Sequence, residues 1–408
     1  MEHRIMNKTI WLLLALVLLP LTLSAQKKEM SQAKQWIKAG NNLENAEQSM
    51  RKLLTDSANR RNDKIWELLF NAVKKQYEQG NEKLYLKQQY DTAKLFTLNK
   101  KMFEVLESFD SIDAEPDAKG RVTLKFRRKH ADFLRPYRTN LLNGGMFFVD
   151  KRNYPEAFSM LSTYIDCGKQ PLFSDFDFMA KDSLKIREAA YWALFSAYKM
   201  KKPEGVFRYL DLAVLDTAHR AYTLQYLAET YLMKNDTVHW LSTLEEGFRD
   251  YPRFTYFFPH LADYYSHHDQ MQKALILADR ALGVDPGNLV YQYAKANVLL
   301  NTGSYKECIE LCDRIIAADN TMADAYLTAG LAFFNQAVEL DKNVRLTPQQ
   351  KAELQTLYHN ALPYLEQYRK LAPERKDKWS LPLYTIYLNL NMGKEFDEIN
   401  KIISEAKK

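Results

Sequence analysis

Few residues in this chain have the type and spacing to do chemistry. The cysteines are Cys167, Cys308 and Cys312. Cys308 and Cys312 stand four apart, so on a helix they share a face. Disulfide geometry within a regular helix is poor, and two thiolates alone do not make a zinc site. All three read as small core residues. The histidines gather in one place, "PHLADYYSHHD", from Pro259 to Asp269. Asp263 and His267 are four apart there, and Glu229 stands 34 residues before Asp263. Together they could form a weak metal site or a solvated polar patch. No glycine-rich phosphate loop, G-x-S-x-G elbow or H-E-x-x-H helix is present. The expectation is a chain with no catalytic residue, no metal and no cofactor.

Two further patterns stand out. "KGRVTLKFRRKHADFLR", 119–135, carries seven basic residues with apolar ones interleaved. It suits contact with an anion, a lipid headgroup or a polysaccharide, or else a solvated helix face. The second pattern is Asp, then Ser or Thr, then an apolar residue. It occurs at Ser57, Thr92, Ser111, Ser183, Thr217 and Thr237, where average composition gives roughly one such triplet. This is similar to the acceptor sites of a general O-glycosylation system acting on exported bacterial proteins. Helix capping also concentrates Asp, Ser and Thr at helix starts.

What elements would carry these residues? The 408 residues suffice for several cores or one elongated array. Apolar residues make up 46% and charged ones 26%, as in folded soluble proteins. Thirteen Gly and thirteen Pro are too few for a turn-rich β fold. Arg4 and Lys8 precede an apolar run, Ile10 to Leu23, and "LSAQ" follows. That pattern predicts a signal peptide, 1–25, cut after Ala25. The run is short of the roughly 20 residues a membrane span needs. No Cys follows the cut, so no lipid anchor is expected. Setting aside Glu2, Arg4 and Lys8 lowers the net charge from +6 to +5. So mild and dispersed an excess does not argue for nucleic acid.

The stretch "ADRALGVDPGN" ends a helix-forming run at Asp285-Pro286-Gly287-Asn288. Thirty-four residues before Pro286 stands Pro252, and thirty-four after it Asn320, each suited to a helix end. Between these marks each unit reads as two amphipathic helices. In 255–288 the first helix offers Leu261, Ala262 and Tyr265, and the second Ala274, Ala278, Ala281 and Leu282. In 289–322, Ala296 and Leu299 precede Gly303 and Tyr305 at the turn; Cys308, Cys312, Ile315 and Ile316 follow. Units 187–220 and 221–254 follow the same plan, the first with Val206, Leu210, Ala213 and Val214 on its second helix. One such pair cannot bury its apolar face alone, so neighbours must stack.

The 34-residue period and the small–Gly–Tyr–small–small–Pro skeleton resemble the tetratricopeptide repeat family, in an exported bacterial member. The resemblance implies an all-α, right-handed α-solenoid of helix pairs with a less regular helical N-terminal region. The expected divisions are 26–135, irregular; 136–186, one unit with an insertion; 187–322, four contiguous units; and 323–408, further units with an insertion near 338–360. Trp240, Lys295 and Pro259 depart from the pattern. Pro259 should delay or bend its helix.

In such arrays the first helix of each pair lines a peptide-binding groove. The resemblance places Tyr222, Gln225, Glu229, Tyr256, Asp263, His267, Tyr293, Asn297, Asn301, Leu327 and Asn335 there. Asn can hold a ligand backbone as donor and acceptor, and Tyr supplies rigid area with a polar tip. The competing arrangement is a groove filled by residues 26–135. The expected function is a non-enzymatic periplasmic scaffold, soluble after cleavage, for protein or peptide partners of the bacterial envelope. The alternatives are a polysaccharide or surface binder using 119–135, and an enzyme subunit.

Overall fold

The computed structural model describes residues 26–342 and 345–406. The signal peptide expected at 1–25 lies outside the described residues. The chain folds as two compact units, with the boundary between Lys234 and Asn235. Among the described residues all regular structure is helical.

The first unit begins with three hairpins. They join α1 (26–39) to α2 (Leu43–Leu54), α3 (Asp63–Tyr85) to α4 (Thr92–Asp113), and α6 (Arg138–Asp150) to α7 (Tyr154–Asp166), with α5 (Arg127–Leu134) before the third. The short α8 (Phe178–Lys181) leads to α9 (Ser183–Lys199), α10 (Pro203–Arg208), α11 (Leu210–Ala213) and α12 (Arg220–Met233). The helix expected through Val206 to Val214 is therefore broken at Tyr209, whose φ is −121° and whose phenol donates to Asp166 at 2.7 Å. The insertion expected within 136–186 is two 3-10 turns, Cys167–Lys169 and Pro171–Phe173, followed by α8, and it buries Leu172, Phe173 and Phe178.

The second unit contains α13 (Thr237–Asp250), α14 (Phe257–His267), α15 (Met271–Val284), α16 (Leu289–Asn301) and α17 (Tyr305–Ala318). It continues with α18 (Ala323–Asp341), α19 (Pro348–Leu371), α20 (Lys376–Asn389) and α21 (Gly393–Ala406). Each helix packs on the next, and α18 also touches α16 and α20, which is the stacking of a repeat array. Pro259 falls in the first turn of α14, where its missing N–H costs nothing. The length near 338–360 is taken up by extending both helices of the α18–α19 hairpin. A Thr347–Gln350 capping box starts α19.

The period is written most plainly in the backbone. Lys201, Asn235, Asp269 and Gly303 all have positive φ, between 55° and 77°. They lie 34 residues apart, each in the turn between two consecutive helices. Gly40, Lys87, Arg152 and Asn391 occupy the same place between other consecutive helices. The left-handed residue lets the next amide reach back to a carbonyl near the helix end. Lys202 N donates to Ala197 O at 3.0 Å, and Ser304 N to Leu299 O at 2.9 Å. Small residues then let helices approach closely. A Cβ on Gly247 of α13 would meet the Phe257 ring at 2.3 Å.

Tyrosines tie helices of the second unit together. Tyr305 donates to Glu339 at 2.6 Å, 34 residues on. Tyr265 donates to Glu245 at 2.6 Å and Tyr364 to Asp313 at 2.7 Å. Burial and the acceptor carboxylate both push these phenols above their usual range, so they remain donors.

Candidate functional site

In the first unit, α12 carries Tyr222, Gln225 and Glu229 on one stripe. The neighbouring helix decides what they can do. Tyr198 of α9 donates its phenol proton to Glu229, and Gln225 Nε2 donates to the other carboxylate oxygen at 3.0 Å. Burial first and Glu229 second push the Tyr198 pKa up. The Tyr226 ring stacks on Tyr198 at 4.6 Å, and Tyr222 follows at 6.5 Å from Tyr226. Phe195 lies 5.5 Å from Tyr226, and Trp192 5.6 Å from Phe195. Further along α9, Tyr191 stacks on His219 at 4.2 Å, and His219 Nδ1 meets Asp216 at 2.7 Å. Tyr222 is 45% exposed, so the cluster reaches solvent. Beside it a cavity of about 450 Å³ is lined by Tyr198, Lys199, Lys201, Glu229, Leu232 and Met233. Aromatic faces flanked by a braced carboxylate can hold an extended chain by stacking and hydrogen bonding.

In the second unit, α14, α16 and α18 carry the remaining residues expected in the groove. Asp263, His267 and Asn301 are exposed; Tyr256, Tyr293, Asn297, Leu327 and Asn335 are half-buried. Tyr293 is hydrogen-bonded to Asn297 and Thr328, and burial raises its pKa. Thr328 Oγ1 also reaches Asn297 Oδ1 at 3.5 Å. Tyr293, Asn297 and Thr328 therefore brace α16 against α18. Tyr293 and Leu327 pack against the core. The side chains most available to a ligand are Asp263, His267 and Asn301.

His267 Nδ1 lies 3.2 Å from Asp263 Oδ1 and 2.9 Å from its carbonyl. Glu229, in the first unit, is engaged by Tyr198 and Gln225. Among the described residues no three His, Cys, Asp or Glu side chains converge as a metal ion would require. All three cysteines are free and buried.

Two aromatic sets are not evident from the repeat pattern. One is Trp192, Phe195, Tyr198 and Tyr226 beside Glu229. The other is His260 and Tyr264 on α14 with Tyr256 and His268, which flank that helix. There Tyr256 contacts His260 at 4.5 Å, Tyr264 stacks on His268 at 4.0 Å, and Trp240 packs against Tyr264 at 5.6 Å. Their recurrence every four residues from Tyr256 to His268 was a readable signal.

The basic stretch 119–135 is not one helix face. Residues 121–126 are irregular, and helix begins at Arg127. Arg121 pairs with Asp117 at 3.0 Å, Lys125 with Asp63 at 3.7 Å, and Arg127 with Asp110 at 2.8 Å. Those acids neutralise three of its cations.

The six Asp-Ser/Thr triplets divide. Asp56, Asp91, Asp216 and Asp236 accept backbone amides at turns or helix starts, at 2.9 to 3.2 Å. Asp182 pairs with Arg138, and Asp110 with Arg127. Ser57, Ser111, Thr217 and Thr237 are exposed, and Thr92 and Ser183 half-buried.

A family model described as "Anaphase-promoting complex, cyclosome, subunit 3" matches residues 267–338. No curated protein sequence matches. Among solved structures, MamA from Desulfovibrio magneticus RS-1 is similar at 16% identity and TM-score 0.36, over 46% of this chain and 97% of that one. YrrB, described as a TPR protein with an unusual peptide-binding site, is similar at 16% identity and TM-score 0.34, over 48% of this chain and 91% of that one. A TPR repeats protein (BF2334) from Bacteroides fragilis NCTC 9343 is similar at 17% identity and TM-score 0.29, over 65% of this chain and 98% of that one.

Proposed function

We propose that this chain, a tetratricopeptide-repeat protein, is a non-enzymatic scaffold that binds protein or peptide partners through the first-helix faces of its repeats. The carrying observation is the α9–α12 face. There a solvent-reaching row of aromatic rings surrounds a carboxylate whose position is fixed by Tyr198 and Gln225. Such a surface offers rigid stacking area and one anchored acceptor, which suits a segment of polypeptide. We place the protein in the bacterial periplasm, on the strength of the basic and apolar pattern from Arg4 to Ala25.

The test is a photo-crosslinking residue at Tyr222 and, separately, at Asp263, in the protein expressed in its own host. Irradiation and mass spectrometry of the adducts should identify a discrete second protein. Adducts confined to this chain at both positions would sink the scaffold reading. Recovery of the adducts in a cytoplasmic rather than an envelope fraction would sink the location.

A further inference from the structure

A second surface lies at the other end of the first unit, between α1 and α3. Met30 and Ile37 of α1 and Leu68 of α3 form its apolar floor, each half-buried against the core. Lys27, Lys34, Lys38 and Lys64 rim it, and Glu67 is the one acid in its lining. The groove encloses about 710 Å³. None of the four lysines has an ion-pair partner among the described residues, in contrast to Lys94, Lys101 and Lys125 of the same unit.

Four cations around an apolar floor define the ligand. Bare anions gain little from Met30, Ile37 and Leu68, and a purely apolar segment leaves the lysines unmatched. From Lys27 to Lys38 the wall runs about 16 Å, at roughly 1.5 Å per helical residue. That length matches about three turns of an incoming helix. The chain's own first 25 residues are the wrong occupant by charge, since they carry Arg4 and Lys8 against Glu2. We propose that the α1–α3 groove docks an acidic amphipathic helix of a partner protein. The partner's apolar stripe would sit on Met30, Ile37 and Leu68, and its carboxylates on the flanking lysines. This site is separate from the α9–α12 face and stands or falls independently of it.

The probes are two fluorescein-labelled helical peptides of fourteen residues or so, sized to the groove wall. They share leucines at i, i+3 and i+7 and carry either Glu or Lys at the flanking positions. Anisotropy titration of the protein should show binding of the Glu peptide that weakens as salt rises. Exchanging exposed Lys34 and Lys38 for Glu should weaken it by about tenfold and transfer the preference to the Lys peptide. Circular dichroism would confirm that this double variant keeps its fold. Equal binding of both peptides would overturn the proposal. So would an unchanged affinity in the double variant, or binding to phosphatidylglycerol vesicles with none to the Glu peptide.

Discussion

Residues 26–234 bury Glu47, Asp110, His130 and Arg138, whereas among the described residues of 235–408 the buried polar groups are Thr243, Thr328 and Ser380. The second unit stacks hairpins whose α14 to α17 helices run 11 to 14 residues. Repeated small residues, such as Ala274, Ala278, Ala296 and Ala329, let these helices approach closely, and the polar ties between them are tyrosine–carboxylate bonds such as Tyr265–Glu245 and Tyr305–Glu339. The first unit joins helices of 12, 23, 22, 8 and 13 residues. Buried charged pairs join these unequal helices. Glu47 receives Lys101, Arg51 and Gln76, and Asp110 receives Nε and Nη2 of Arg127. The lesson is that a repeat gains its register from period, while an irregular bundle gains it from directional polar contacts.

Arg138 tests this most severely. Its guanidinium donates to Cys167 Sγ at 3.0 Å, to Tyr164 O at 3.1 Å and to Asp182, between the Tyr164 and Phe178 rings. Arg138→Met removes the buried partner of a pair whose Asp182 keeps partial access to solvent, and should cost about 2–3 kcal/mol. Thermal unfolding followed by circular dichroism should show the loss. If the variant melts within a degree or two of the parent, polar contacts do not set the packing of this unit.

Glu107 is the opposite case, a carboxyl group with no ion-pair partner among the described residues. Its Oε1 is buried and unsatisfied, and burial, then Glu104 and Asp166, raise its pKa to about 8. The folded state therefore binds this proton more tightly than the unfolded chain does. Stability falls as pH rises from about 4.5 to about 8, and the penalty is complete above that. At about 1.4 kcal/mol per unit the bound is about 5 kcal/mol, and partial solvent access reduces the expected effect to about 2 kcal/mol. Glu107→Gln should raise stability at pH 9 and leave it unchanged at pH 4. Urea titrations at the two pH values measure it, and an equal gain at both would show that ionisation is not the cause.

The units also differ in how far residue type reveals structure. The second unit was legible because Pro252, Pro286 and the alternation of small and large residues mark its helix ends directly. The turns told less. Gly303 announces a left-handed residue, yet Lys201, Asn235 and Asp269 adopt the same conformation at the same place. The regularity resides in backbone angles that many side chains tolerate at a modest cost. The face around Glu229 was half legible. Tyr222, Gln225 and Glu229 follow from the repeat, but Tyr198 lies one helix earlier, and which aromatic reaches the carboxylate depends on packing. The charged pairs of the first unit were illegible, since Asp110 and Arg127 have no periodic signature.

The turns supply a smaller test. Lys201→Gly relieves a left-handed lysine and should stabilise by about 1 kcal/mol. Gly303→Ala imposes the same strain on the second unit and should cost about the same. Opposite signs at equivalent positions would show that one turn geometry governs both units. A loss at both would mean that Lys201 contributes through its side chain.

The triplets offer the finest discrimination, because capping and modification place the energy on different residues. Asp236 accepts the His239 amide at the start of α13, while exposed Thr237 sits at the first helical position. Capping predicts that Asp236→Ala costs about 1 kcal/mol and Thr237→Ala less than about 0.5 kcal/mol. In the first unit, Asp110 pairs with Arg127 instead, and exposed Ser111 lies inside α4. Capping cannot explain that triplet. Intact mass of the protein from its own host separates the two causes. An unmodified mass leaves capping and ion pairing to account for all six. A mass increment that Ser111→Ala and Thr237→Ala each reduce by one step would assign the hydroxyls to a glycosylating enzyme, with the aspartates retained for both roles.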